Sequence, residues 1–208
     1  MNESEKLLTE LKDIRNIMER SSRFLSLSGL SGILIGVYAL IGAFIAYRIV
    51  YIQFPSQFKQ EYINDVIIQI FIIGASVLML SLFTVFLLTI KKARKEQKPI
   101  WGPGSKLLLL NLSIPLITGG LLTTILVFRE YYGVVSPSFL IFYGLALVNA
   151  AKYTRPEIIG LGIIEIILGL IAALLPGYGL YFWAFGFGVL HILYGFVYLR
   201  NENKTQST

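Results

Sequence analysis

Residues 157–175 and 180–199 are two nearly unbroken apolar runs separated by a turn containing Pro176, Gly177 and Gly179. Each run is about 19 or 20 residues long, and at ~1.5 Å rise per residue it covers a hydrocarbon core of roughly 30 Å. A surface helix of a soluble protein carries one apolar stripe and is not apolar all round. The pair therefore reads as two membrane-crossing helices joined by a tight turn. Deep within it lie one acid, Glu165, and the chain's single imidazole, His191. Gly162, Glu165, Gly169 and Ala172 fall three, four and three residues apart, on one helical face, and Gly188, His191 and Gly195 repeat the pattern on the second arm. Small faces let membrane helices approach closely, so the two arms are expected to press these stripes together. Glu165 is nine residues past Pro156 and His191 nine before Arg200, ~13 Å along each helix. At matched depth a carboxyl and an imidazole can share a hydrogen bond or a proton.

The same reading extends to residues 25–47, 66–90, 107–128 and 134–152, giving an all-α polytopic membrane protein of six transmembrane helices arranged as three hairpins. The composition agrees: 55% of residues are hydrophobic and 14% charged, where a soluble domain has about 25% charged residues. Residues 1–24 lack the apolar core of a cleavable signal peptide. Leu7, Leu11, Ile14 and Met18 instead mark a cytosolic amphipathic helix, for which residues 1–20 offer either a face lying on the headgroups or a surface for a protein partner or self-association. Residues 201–208 read as a disordered polar tail.

The net charge of +6 invites a nucleic-acid reading, but its placement opposes one. Of the 18 Lys and Arg, all but Arg48, Lys59 and Arg129 fall on one side of the six-span plan. Lys91, Lys92, Arg94, Lys95 and Lys98 abut two spans, as expected of a topogenic signal facing the cytosol that can also contact anionic lipid. This puts both termini in the cytoplasm.

Gly29, Gly32 and Gly36 line one face of the first span, and Tyr47 and Tyr51 sit at its far end, where an aromatic belt is expected. The glycines also suggest an internal repeat of the hairpin: Gly36, Gly119 and Gly169 align among the odd spans, and Gly74, Gly144 and Gly188 among the even ones.

The motif GxxExxLGLxAxLxPG from Gly162 to Gly177, followed by an aromatic, glycine-rich second arm, resembles the two-span repeats of the HdeD-like acid-resistance membrane proteins. The first span, GLSGxxxGxxALxGA from Gly29 to Ala43, is similar to that of uncharacterised bacterial six-span membrane proteins that carry a charged N-terminal helix. The first likeness implies a role in acid stress; the second implies no activity.

There is no HExxH, no GxSxG, no pair of aspartates and no phosphate-cradling glycine loop. With no cysteine and one histidine the chain lacks the usual metal and haem ligand sets. The expectation is a non-enzymatic protein without metal or cofactor, its partner the bilayer, that senses, scaffolds or modulates another protein. The alternative is a small transporter or proton-coupled permeation unit using Glu165 and His191. Asn111, Ser113 and Asn149 fall in the same half of the membrane and would line a vestibule open to the cytosol. Glu165 and His191 form either a structural clasp or a proton-handling site.

Overall fold

In a computed structural model of the chain, residues 29–53, 60–95, 97, 100–154 and 157–206 are described. The N-terminal amphipathic helix and Lys98 lie outside them. The described residues form helices and contain no strand. They are α1 (Gly29–Tyr47), α2 (Gln60–Lys95), α3 (Pro103–Phe128), α4 (Val135–Ala150), α5 (Ile158–Leu174), α6 (Gly179–Trp183) and α7 (His191–Gln206). Between α6 and α7 the chain stays helical but opens into π-type turns over Ala184–Leu190.

Five of the helical stretches, Gly29–Ile52, Asp65–Lys95, Pro103–Phe128, Tyr132–Tyr153 and Gly179–Asn201, are long and apolar enough to cross a membrane. The 17-residue α5 is shorter and the most uniformly apolar. The solvent these helices are built for is visible on α2, where Phe71, Met79 and Phe83 stand 71, 66 and 61% exposed. Apolar surface on that scale is tolerated where hydrocarbon, not water, surrounds it. Helix α3 starts on Pro103, whose missing N–H costs nothing there, and Ser105 closes the first turn by accepting from the Gly102 N–H at 2.8 Å. It runs on through Pro115.

Glycine contacts fix which helices pair. A methyl built at Gly36 would lie 2.5 Å from the Gly188 carbonyl oxygen, and Gly29 and Gly195 oppose each other's backbones in the same way, so α1 lies directly against α6–α7. Gly144 and Gly162 make the equivalent approach between α4 and α5, and Gly169 packs on Ile141 and Pro137 of α4. The outer face of α1 takes up α2 through Gly42 against Val77, and α4 takes up α3 through Gly119 against Phe142. Two groups result: α1, α2 and α6–α7, and α3, α4 and α5.

The stripes of the last hairpin therefore do not press on each other as expected. The Gly162 and Gly169 stripe is covered by α4, and the Gly188 and Gly195 stripe by α1. Backbone approach is a property of a pair of faces, and α1 and α4 supply the better complements. Nor do the glycines aligned by the repeat share one environment, since Gly74 has nothing within 4 Å. Helix α7 continues to Gln206, with no glycine or proline between Arg200 and Gln206 to stop it.

Two ends of the bundle are chemically distinct. At one, Tyr51 donates to the Gly177 carbonyl at 2.8 Å, and Tyr47, Tyr51, Tyr178 and Tyr181 cluster with ring centroids 5.1 to 6.1 Å apart. At the other, Lys92 sits 5.5 Å over the Tyr198 ring.

Candidate functional site

The two helix groups meet along α4, α5 and the α6–α7 helix, and Glu165 and His191 lie in that seam. Glu165 is the middle of α5, 0% exposed, and His191 opens α7, 3% exposed. The helical register that put both on small-residue faces also puts both on the inside. Gly186 makes room for the carboxyl. A methyl there would fall 2.5 Å from Glu165 Oε2 and 2.6 Å from Leu140 Cδ2, so a glycine is needed at this close approach.

The π-type turns shape the imidazole's surroundings. His191 Nδ1 lies 3.0 Å from the Gly186 carbonyl oxygen, five residues back. A carbonyl can only accept, so Nδ1 carries the hydrogen, and in the neutral ring Nε2 is then an acceptor. The Tyr143 hydroxyl of α4 donates to it at 2.7 Å. Phe187 stacks on the imidazole at 6.0 Å and 21°, and its ring is 5.0 Å from Tyr143. Both imidazole nitrogens are satisfied, and neither partner is Glu165.

The carboxyl is close to the imidazole without being bonded to it. Nδ1 to Oε1 is 3.7 Å, beyond a hydrogen bond, and the Nδ1 hydrogen is engaged by Gly186. Both carboxyl oxygens are buried and, among the described residues, have no hydrogen-bond partner. A negative charge there would have no hydrogen bond while Nδ1–H stays on Gly186, at a cost of several kcal/mol in a membrane interior. Among the described residues no group of three or more His, Cys, Asp or Glu is placed to hold a metal ion, and on the Gly186 side the backbone and Leu140 close in on Oε2. A carboxyl in this setting can take up a proton. His191 Nδ1–H, turned from Gly186 toward Oε1, is the nearest group that could deliver one.

Tyr143 was not singled out by the spacing of small residues, yet the signal was present. It lies nine residues before Lys152, the same depth count that pairs Glu165 with His191. Asn111, Ser113 and Asn149 are placed elsewhere. Asn111 and Ser113 donate to the Leu107 and Leu109 carbonyls one turn back on α3, at 2.8 and 2.6 Å, and Asn149 is exposed, so none is hydrogen-bonded to the Glu165 and His191 pair. Gly29, Gly32, Gly36, Gly188 and Gly195 line the α1 contact with α6–α7, which holds the His191 side of the seam, and Gly162 and Gly169 line the α4 to α5 contact, which holds the Glu165 side. No protein-family model matches the chain, and neither curated proteins nor solved structures include a match.

Proposed function

We propose that this chain is a six-span protein of the bacterial inner membrane, with both termini in the cytosol, that works without enzymatic chemistry as a small proton-coupled carrier or permeation unit. Glu165 is its proton-binding group and His191 the group that exchanges with it. The observation that carries this reading is a wholly buried carboxyl with no hydrogen-bond partner, lodged where two separately packed helix groups meet. A structural clasp would hydrogen-bond the acid to the imidazole, because that is how a buried polar pair offsets its desolvation. Here the imidazole is satisfied by other groups. Coupling-ion sites of membrane carriers sit near mid-membrane between units that rock against each other, and a carboxyl midway along α5, in the seam between the two groups, fits that pattern.

The six-span count includes α5, which at 17 residues and ~1.5 Å per residue spans ~25 Å and is flanked by the turn from Leu175 to Gly179. The basic cluster Lys91, Lys92, Arg94 and Lys95, with Lys106 and Lys152, supports a cytosolic placement of that end and its contact with anionic headgroups. The likeness to HdeD-like proteins is consistent with a protein that responds to protons. The test is proton flux in proteoliposomes under an imposed pH gradient. Wild-type protein should dissipate the gradient, and Glu165→Gln, which keeps shape and loses the titrating group, should not. A Glu165→Gln variant with full flux would reject the role given to the carboxyl. Absence of flux in the wild type would leave proton-dependent sensing or modulation of a partner as the better reading.

A further inference from the structure

The chain's one imidazole stands on one helix group and faces residues of the other. Gly188, three residues before His191, meets Leu40 and Gly36 of α1, and Gly195, four residues after it, meets Gly29 and Ile33. His191 is thus fixed to the α1 side of the seam. Opposite it, Tyr143 is next to Gly144 on α4 and Glu165 is three residues beyond Gly162 on α5. A methyl at Gly144 would lie 2.5 Å from the Gly162 carbonyl oxygen, so Tyr143 and Glu165 stand on one closely packed helix pair.

The imidazole bonds once across the seam and once within its own segment. Nε2 accepts from the Tyr143 hydroxyl at 2.7 Å, and Nδ1–H donates to the Gly186 carbonyl at 3.0 Å. Beside that carbonyl is a second acceptor for the same hydrogen, Glu165 Oε1, 3.7 Å from Nδ1. Closing the gap to hydrogen-bond length takes about 0.5–1 Å, which side-chain torsions can supply. A protonated acid competes with Gly186 only as a neutral acceptor. An ionised one changes the balance, because a hydrogen bond to a charged group is roughly twice as strong as one between neutral groups. The swap requires the hydrogen to be on Nδ1, and a neutral imidazole can carry it on either nitrogen. With the hydrogen on Nε2, the Nδ1 lone pair would face the two oxygens of Gly186 and Glu165, and the Tyr143 hydroxyl would lose the acceptor it now uses.

We propose that Tyr143 is a positioning residue of the proton site: it holds neutral His191 in the Nδ1–H form, so that this N–H passes from the Gly186 carbonyl to Glu165 when the acid loses its proton. This role rests on the reading of Glu165 as the proton-binding group. The N–H bond stays whole and only its acceptor changes. With Glu165 protonated, one imidazole bond crosses the seam; with Glu165 ionised, both do. Proton loss therefore ties the two helix groups together, and proton uptake releases one of the ties. Tyr194, one turn beyond His191 on α7, is the other titratable group facing the pair. Helix α1 presents Gly32 and Gly36 to this stretch, and among the described residues α5 and Ala184–Leu190 add no further one.

Because His191 is the only histidine, ¹⁵N-histidine labelling of the full chain in nanodiscs reports on this ring alone. Spectra are taken as the pH is stepped, with Glu165 ionisation followed by the ¹³C carboxyl signal that Glu165→Gln lacks. In the wild type the neutral ring should carry its hydrogen on Nδ1, and the Nδ1–H proton resonance should shift downfield as Glu165 ionises. Glu165→Gln should abolish that shift. Tyr143→Phe, which keeps the aromatic ring, should raise the share of the Nε2–H form and diminish the shift, a result that lost packing alone would not produce. A wild-type ring with its hydrogen on Nε2, or an Nδ1–H resonance that stays in place while Glu165 ionises, would overturn the swap and leave Glu165 as the proton-binding group. An unaltered tautomer and shift in Tyr143→Phe would overturn the role given to Tyr143. A Glu165 carboxyl that ionises at no pH would remove the swap and the proton-binding reading together.

Discussion

Gly186→Ala probes the contact on which the site is built. The added methyl would stand 2.5 Å from Glu165 Oε2 and 2.6 Å from Leu140 Cδ2, against an ordinary carbon contact of about 3.5–4.0 Å. Overpacking of this kind costs ~1–3 kcal/mol, and replacing glycine by alanine within a helix returns ~1 kcal/mol. The net expectation is a loss of ~0–2 kcal/mol. With Glu165→Ala already in place, the carboxyl is gone and only Leu140 must adjust, so the same methyl should be neutral or stabilising by up to ~1 kcal/mol. The four proteins of this cycle, unfolded reversibly in mixed micelles and followed by circular dichroism, should show a coupling of ~1–2 kcal/mol between positions 165 and 186. Additivity within ~0.3–0.5 kcal/mol, the agreement expected of independent sites, would refute the contact and with it the placement of Glu165 in the seam.

Two further outcomes follow from the same geometry. Gly36→Val should separate α1 from α6–α7, because its Cβ would collide with the Gly188 carbonyl and Ile192, whereas Gly160→Ala, with nothing within 4 Å, should raise stability by up to ~1 kcal/mol; comparing the yield of monodisperse protein and the melting temperature of the two checks the pairing. Tyr143→Phe leaves His191 Nε2 without its donor and should destabilise the fold by ~1–3 kcal/mol, the cost of a buried unmet acceptor. An unchanged unfolding midpoint for that variant would mean that the bond contributes nothing.

Much of the site was legible because helical register is a local property. The three and four residue spacing of Gly162, Glu165 and Gly169, and of Gly188, His191 and Gly195, told which faces are buried, and counting from the charged ends told that acid and imidazole share a level. Which helix covers each face was not legible. The stripes of α5 and α6–α7 looked complementary to each other, and a sequence carries no direct record that α4 and α1 fit them more closely. The π-type turns at Ala184–Leu190 were equally hidden, since Gly186 and Gly188 were visible only as small residues. Those turns present the Gly186 carbonyl to His191, and so they decide that the imidazole is satisfied without the carboxyl. Asn111 and Ser113 looked like vestibule residues by depth alone, but short polar side chains in a helix readily bond to their own backbone one turn back.

Infrared difference spectroscopy on the protein in nanodiscs, taken as the pH is stepped across the neutral and acid range, observes Glu165 directly. A buried, protonated carboxyl group gives a C=O stretch apart from those of solvated carboxyls. The prediction is one such band that grows and fades reversibly with pH, shifts on exchange into heavy water, and is missing from Glu165→Gln. A band that survives that substitution, or a Glu165 signal that never changes with pH, would contradict a proton-binding carboxyl at the heart of the bundle.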